Sequence, residues 1–391
     1  MSIVLAILAL SFLVFFHELG HFLAAKFFHV GVNEFSIGMG PRLLSFLYKN
    51  TRYSLKLLPL GGSCAMLGED AAGSGDFLAP KQEDNAENVY DFDGVIYSEE
   101  ELKTKSFEGK PAWQRFIICI AGVFNNFLLG FLIALFLTGT IGVQLPKIAS
   151  SNASTPAMES GLQEGDEVRF VKIGNAGGRT VHSYSELAMY LELHKEEMQE
   201  GEVSLTVLRD GEKLSFQFPA YKDPSTGLYR MGVALSSERV KFQNPLKTIE
   251  YSFYELAFNA RVVIDSLALI SKGKVSRQEV MGPVGTVAVI GESVSSSSQY
   301  GFFVMLLVLL NLSMMLSVNL AVMNLLPIPA LDGGRLLFIL LEMLARKRLN
   351  PKWEERINTA GMVFLLALMV LIVGNDVFNL LTGAYSKYFS S

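Results

Sequence analysis

Four stretches of the chain are almost free of polar side chains, at about residues 3–28, 113–143, 302–326 and 362–381. A helix rises about 1.5 Å per residue and about 20 apolar residues cross the hydrocarbon, so each is expected to span a bilayer. Between the first two runs the period changes. Residues 34–37 and 53–57 alternate, and the turn formers Gly38, Gly40, Pro41, Pro59, Gly61 and Gly62 flank them. This predicts a hairpin from about Val32 to Met66, lying on the surface or, given its apolar tip at Leu57 to Leu60, dipping into the membrane. Residues 68–105 carry eleven Asp or Glu against three Lys and few aliphatics, the pattern of a flexible or lightly folded insertion.

The long stretch between the second and third runs reads as a separate module. A turn at 160–166 leads into a strand at 167–173. Ser183 with Glu186 three residues later forms a capping box that opens a helix to about Lys195. The alternating runs 203–209 and 213–218 flank Asp210-Gly211, a strong hairpin signal. This order of elements resembles a PDZ domain, which binds peptides by adding a strand to a sheet edge. Beyond it, Ser252, Glu255, Asn259 and Ser266 recur at helical spacing, which fits an amphipathic helix on the membrane or against the bundle. Residues 281–285 and the serine run 295–298 read as loop. The expected architecture is a membrane α-helical protein with four transmembrane helices, a membrane-associated β-hairpin and one extracytoplasmic PDZ-like domain. Its divisions are 1–28, 29–67, 68–111, 112–143, 144–240, 241–300, 301–334 and 335–391.

Composition agrees: 50% of the 391 residues are hydrophobic and only 18% charged. A net charge of -5 and the absence of a Lys/Arg-rich block give no sign of nucleic acid. Two cysteines, Cys64 and Cys119, make neither a disulfide framework nor a thiolate metal site. The first apolar run has no basic start and carries polar residues, so it is not expected to be a removable signal peptide. Arg346, Lys347, Arg348, Lys352 and Arg356, with Lys26, Arg42, Lys49 and Arg52, must share one face of a four-span topology. The positive-inside rule makes that face cytoplasmic, with both termini and the PDZ-like module outside.

Chemistry enters where polar residues interrupt apolar ones. His17-Glu18-Leu19-Gly20-His21 places two imidazoles one helical turn apart, able to hold one zinc ion while Glu18 acts as general base. Such residues are costly inside a span, which favours a function over chance. The third run ends in Asn324-Leu325-Leu326-Pro327-Ile328-Pro329-Ala330-Leu331-Asp332-Gly333-Gly334. Irregular backbone at membrane depth is tolerated only where it is buried in protein or lines a watery cavity, so Asp332 is the candidate third ligand. In the second run Gly122, Asn125, Asn126 and Gly130 form a small and polar stripe, suited to helix contact or to substrate contact. A soluble-substrate zincin anchored in the membrane would need a third ligand soon after His21, where Phe27 and an out-of-phase His29 stand. A non-catalytic scaffold presenting the PDZ-like module is the other alternative.

Taken together, the His17 to His21 motif, Phe35-Ser36-Ile37-Gly38, Pro59-Leu60-Gly61-Gly62, the PDZ-like insertion, Gly282-Pro283-Val284-Gly285 and the stretch Asn324 to Gly333 resemble the bacterial site-2 protease family, in particular its regulator-of-sigma-E protease group. Val123 departs from the proline usual after the second-span glycine. The resemblance implies an intramembrane zinc metalloprotease that cuts transmembrane segments of single-span proteins such as anti-sigma factors or remnant signal peptides, within the lipid bilayer of the bacterial cytoplasmic membrane and with an upstream site-1 type protease. It implies Zn2+ on His17, His21 and Asp332 with Glu18 as base. Asn324, Asn126 and an exposed strand at Tyr53, Ser54, Leu55, Lys56 and Leu57 are then expected to hold the unwound substrate. From its tethers to the second and third spans, the PDZ-like module is expected to work mainly as a gate that excludes substrates with large outer domains, with capture of a newly exposed C-terminus as the competing idea.

Overall fold

In the computed structural model, residues 2–69, 83–85, 89–149, 155–199, 201–275, 280–348 and 350–382 are described. The chain divides into two compact units, residues 1–133 with 259–391, and residues 134–258. Among the described residues, four helices are long and apolar enough to cross a membrane: α1 (Ser2–Phe27), α3 (Ala112–Ile141), α8 (Phe302–Leu325) and a fourth whose apolar part runs from Lys352 to Leu381 within α10 (Pro351–Leu381). Much of their surface is apolar and exposed, as at Phe12, Leu132, Phe303 and Leu371, which is the face a lipid solvent requires. This is an integral membrane protein.

After α1 the chain makes two long antiparallel strands, β1 (Val32–Leu47) and β2 (Arg52–Met66). Their register doubles the ribbon on itself. Residues 32–37 pair with 62–66, residues 42–47 pair with 52–56, and Glu34 to Ile37 also lie beside Arg52 to Leu55. The hinge is where Gly38, Gly40 and Gly61 take positive φ, a region in which a side chain would be strained. One consequence corrects the expected free strand at Tyr53 to Leu57. Tyr53 has Phe35 on one side and Phe46 on the other, Ser54 has Ser36 and Ser45, and Leu55 has Ile37 and Leu44. They are interior to the sheet, and the segments flanked on one side only among the described residues are 62–66 and 42–47, of which 62–66 is the one that passes Glu18.

Beneath a half-exposed apolar tip, with Leu43, Leu44, Phe46, Leu57 and Leu58 all exposed, the ribbon is held by a buried charge cluster. Arg42 donates to Glu34 at 2.7 Å, Lys56 lies 3.5 Å away and the Ser54 hydroxyl donates to the same carboxylate. Burial pushes the Glu34 carboxyl up, but the hydrogen bonds from Arg42 and Ser54 and the charge of Lys56 outweigh it and hold it below the usual range.

Part of the acidic insertion is folded. Strands β3 (Glu83–Asn85), β4 (Val89–Phe92) and β5 (Val95–Ser98) form a small sheet, followed by α2 (Glu99–Lys105) with a capping box at Ser98 and Glu101. Leu67, Val95 and Tyr97 are its core. The rest of that expectation, residues 70–82 and 86–88, lies outside the described residues.

Residues 134–258 pack around their own core of Val168, Val171, Ile173, Leu187, Tyr190, Val203, Leu205 and Val207. Short β6 (Val143–Gln144) and α4 (Pro156–Glu159) lead to β7 (Glu167–Ile173), β8 (Arg179–Thr180), α5 (Tyr184–Leu193), β9 (Glu202–Arg209) and β10 (Glu212–Pro219), in sheet order β10-β9-β7-β8. Asp210 and Gly211 both take positive φ, the type I′ geometry that suits a right-twisted hairpin. Two-residue strands β11 (Tyr221–Lys222), β12 (Tyr229–Arg230) and β13 (Arg239–Val240) precede α6 (Pro245–Ser271).

Two expected loops are helical. Residues 283–298 form α7 (Pro283–Ser298), serine run included. The serine hydroxyls bond back to the carbonyls three residues earlier, Ser297 to Val294 at 3.0 Å and Ser298 to Ser295 at 2.6 Å, so they need no water. The helix starts at Pro283, and its free amides are capped from α10. The fully buried Asp376 accepts from Gly282 N at 2.9 Å and Gly285 N at 2.8 Å. A Cβ on Gly282 would stand 2.2 Å from Ile372, so the cap needs glycine. Asp376→Ala is expected to cost about 3 kcal/mol, since two amides lose a charged acceptor where water is scarce, and thermal unfolding in detergent measures it. Residues 332–345 likewise form a helix, α9 (Asp332–Ala345), a largely apolar stretch with Leu336 and Ile339 buried, and the basic cluster begins only after it at Arg346.

Candidate metal centre and active site

His17 and His21 lie four apart on α1 and are each 6% exposed in an otherwise apolar helix. Their rings meet edge on, with Nε2 atoms 3.3 Å apart. Asp332 comes from the first position of α9, after the chain breaks at residues 326–331. Gly333 and Gly334 press this start against the backbone of the break, where a Cβ would stand 2.1 Å from Leu326 O and 2.4 Å from Ile328 O respectively. Asp332 Oδ2 is thereby set 3.1 Å from His17 Nε2 and 3.3 Å from His21 Nε2.

These three atoms fit a metal ion. Donors bound at roughly 2.0–2.1 Å in a tetrahedron stand about 3.3 Å apart, close to each of the three separations. Asp332 Oδ2 is buried and makes no hydrogen bond despite that proximity, so it is aimed at the space the imidazoles share rather than at either ring. Among the described residues no other group of His, Cys, Asp and Glu converges in this way.

The rings are oriented from behind. His21 Nδ1 lies 2.8 Å from Ile118 O, which can only accept, so Nδ1 carries the proton and Nε2 keeps its lone pair. His17 Nδ1 faces the side chain of fully buried Asn126 at 3.1 Å from Nδ2, while Asn126 Oδ1 has no partner. Turning that amide over would put Oδ1 on Nδ1–H and free His17 Nε2 for a metal. Asn126 thus stands behind His17, with its backbone carbonyl accepting a 2.8 Å bond from the Ser317 hydroxyl. This corrects its expected place beside substrate. Asn126→Leu is expected to weaken metal affinity by about 10 to 100-fold while Asn126→Asp keeps it, as competition with a chelator would show.

Close helix approach makes room for the rings. A Cβ on Gly20 would meet Ala121 O at 2.3 Å, and one on Gly122 would meet His21 Nε2 itself at 2.2 Å. The small and polar stripe in the second span pointed at this crossing. That Gly122 packs against His21 Nε2 is not legible from the stripe.

Around the three donors lies a cavity of about 200 Å³ lined by Glu18, Cys64, Met66, Glu69, Asn324 and Arg335 among others. Asn324 Nδ2 is 3.3 Å from His17 Nε2 and so faces the same point. Gly62 runs past Glu18, since a Cβ there would stand 3.4 Å from Glu18 Cγ. Of the strand residues expected at the site, none lines the cavity. Tyr53 stacks on Phe46 at 5.3 Å, Ser54 and Lys56 serve Glu34, and Leu55 and Leu57 are exposed. The far end of the same strand, through Cys64 and Met66, takes their place.

Residues 5–368 match the profile described as peptidase family M50. The chain is 34% identical over 388 residues to a putative zinc metalloprotease of Fusobacterium nucleatum, covering 97% of this chain and 99% of the relative. It is 32% identical to a putative zinc metalloprotease of Clostridium perfringens, covering 96% and 98%. It is 28% identical to the regulator of sigma-W protease RasP of Bacillus subtilis, again covering 96% and 98%.

Proposed function

This chain belongs to peptidase family M50 and is an intramembrane zinc metalloprotease, and from that premise we propose how its residues divide the work. His17, His21 and Asp332 hold the zinc, and the observation that carries this is the 3.1 to 3.3 Å convergence of their donor atoms inside apolar helices. When bound, zinc supplies an electrophile for the scissile carbonyl and lowers the pKa of water toward 7. Glu18 takes the proton of the attacking water and passes it to the leaving nitrogen. Asn324 donates from Nδ2 toward the carbonyl oxygen as it gains charge.

A peptide bond in a helix is shielded and already hydrogen-bonded, so the substrate has to be unwound before it is cut. Segment 62–66 supplies a sheet edge for this, because it is paired on one side only and passes Glu18 at Gly62. The substrates are transmembrane segments of single-span proteins, such as anti-sigma factors or remnant signal peptides, trimmed beforehand by a site-1 type protease. Residues 144–240 form an extracytoplasmic PDZ-like domain, and both termini lie on the same outer side of the bacterial cytoplasmic membrane. A cavity of about 980 Å³ between α5 and residues 229–235 favours peptide binding by that domain over a purely steric role. Metal analysis of the purified protein, together with cleavage of a single-span substrate in proteoliposomes, tests the whole reading. Protein without zinc, or zinc-loaded protein that cuts only soluble peptides, would overturn it.

A further inference from the structure

Part of the wall of the metal cavity neither binds the metal nor reaches the reacting atoms. Glu69 and Arg335 line this cavity and also a second one of about 320 Å³, so their side chains stand between the two. They form an ion pair in which the Glu69 side chain is 1% exposed and that of Arg335 11%. Taking both charges out of water costs several kcal/mol per ion, and apolar residues of similar volume would close the wall at least as well. A charged pair in this place therefore calls for a geometric reason.

Both ends of the pair are tied to elements that carry the chemistry. Glu69 lies three residues beyond Met66, the last residue of β2. Its Oε2 accepts from Met66 N at 3.2 Å and its own N–H donates to Met66 O at 3.3 Å. Leu67 between them donates to Gly31 O and accepts from Phe107 N, each at 2.8 Å. Arg335 lies one helical turn beyond Asp332 on α9, and its guanidinium rests over the Phe107 ring at 5.9 Å from the centroid. The ion pair thus joins the end of the sheet edge 62–66 to the helix that presents the metal ligand.

We propose that Arg335 is a positioning residue for hydrolysis, its pair with Glu69 fixing the register between the sheet edge at 62–66 and Asp332. The inference rests on the zinc and sheet-edge assignments of the proposed function. A peptide laid along a strand advances about 3.3 Å per residue, so a slip of the edge against α9 by a fraction of that places a carbonyl off the metal or brings up its neighbour. A misplacement of about 1 Å costs about 10²-fold in rate. Without the pair, the edge and the ligand helix are free to make that slip.

The test uses the full-length protein in proteoliposomes and reads zinc content, kcat, KM and the bond cut, the last by mass spectrometry of the products. Arg335→Gln and Glu69→Gln are each expected to keep zinc, to lose about 10²-fold in kcat with little change in KM, and to cut neighbouring bonds as well. The exchange of Glu69→Arg with Arg335→Glu is expected to restore the single cut, and Arg335→Lys to recover part of the rate. Wild-type rate and cut site in both Gln variants would overturn the proposal. So would zinc lost in step with activity, which is what a merely structural pair predicts, or Arg335→Lys performing no better than Arg335→Gln. Asp332→Ala, prepared in parallel, separates the two levels of argument: if it keeps zinc and cleaves, the ligand assignment fails whatever the Arg335 variants do.

Discussion

Glu18→Gln is expected to retain zinc and to lose at least about 10³-fold in peptide-bond cleavage, whereas His17→Ala and Asp332→Ala lose both. The amide of Gln keeps the size of the side chain and its place beside Gly62, but it cannot take a proton from water. Removing one of three donors is different in kind. The remaining pair would leave half or more of the coordination open, and among the described residues no other His, Cys, Asp or Glu converges with the two imidazoles to replace the lost donor. Metal content and cleavage measured on the same preparations decide the matter. Substantial activity in Asp332→Ala would remove it from the ligand set.

Gly122→Ala is expected to be nearly as damaging, although it adds one methyl group and removes nothing. That methyl would stand 2.2 Å from His21 Nε2 and 2.6 Å from its Cε1, well inside contact distance. The ring cannot retreat along α1, because its Nδ1 is tied to Ile118 O on the same helix that would carry the new methyl. Nor can α3 back away cheaply, since Gly20 already seats it against Ala121. Zinc affinity should fall by at least about 10²-fold, a loss comparable with that of an orienting partner or more. Unfolding temperature should change far less. Zinc retained at wild-type affinity would mean that the crossing of α1 and α3 is looser than its contacts imply.

Several features were legible because each breaks a local rule. The four helices show as apolar runs of bilayer length, and His17, Glu18 and His21 show because ionisable groups in such a run are costly. Asp332 shows because prolines and glycines end a span where regular backbone is otherwise demanded. The strand register was not legible. Alternation at 34–37 and 53–57 specifies which face each side chain takes but not which segments become neighbours, so a doubled ribbon and a simple hairpin share one pattern. Hence the strand that the pattern marks at 53–57 reaches the cavity at its other end, through Cys64 and Met66. Gly122 and Asn126 were noticed as a stripe, but their contacts with the two imidazoles depend on the angle at which α1 and α3 cross. The helix α7 is hidden in the pattern by serines that satisfy their own hydroxyls, and α9 by the Pro and Gly residues before it and the basic cluster that follows it.

The break at residues 326–331 has a bearing on the birth of the enzyme. His17, Glu18 and His21 are made with α1, while Asp332 and the helix that aims it follow only after α3, residues 144–258 and α8. A ribosome-bound chain therefore carries the base and two ligands through most of its synthesis without a complete metal site. Proteolytic competence arrives near the end of insertion, when α9 docks. The membrane around a half-made chain is spared a working peptidase by the order of the elements alone.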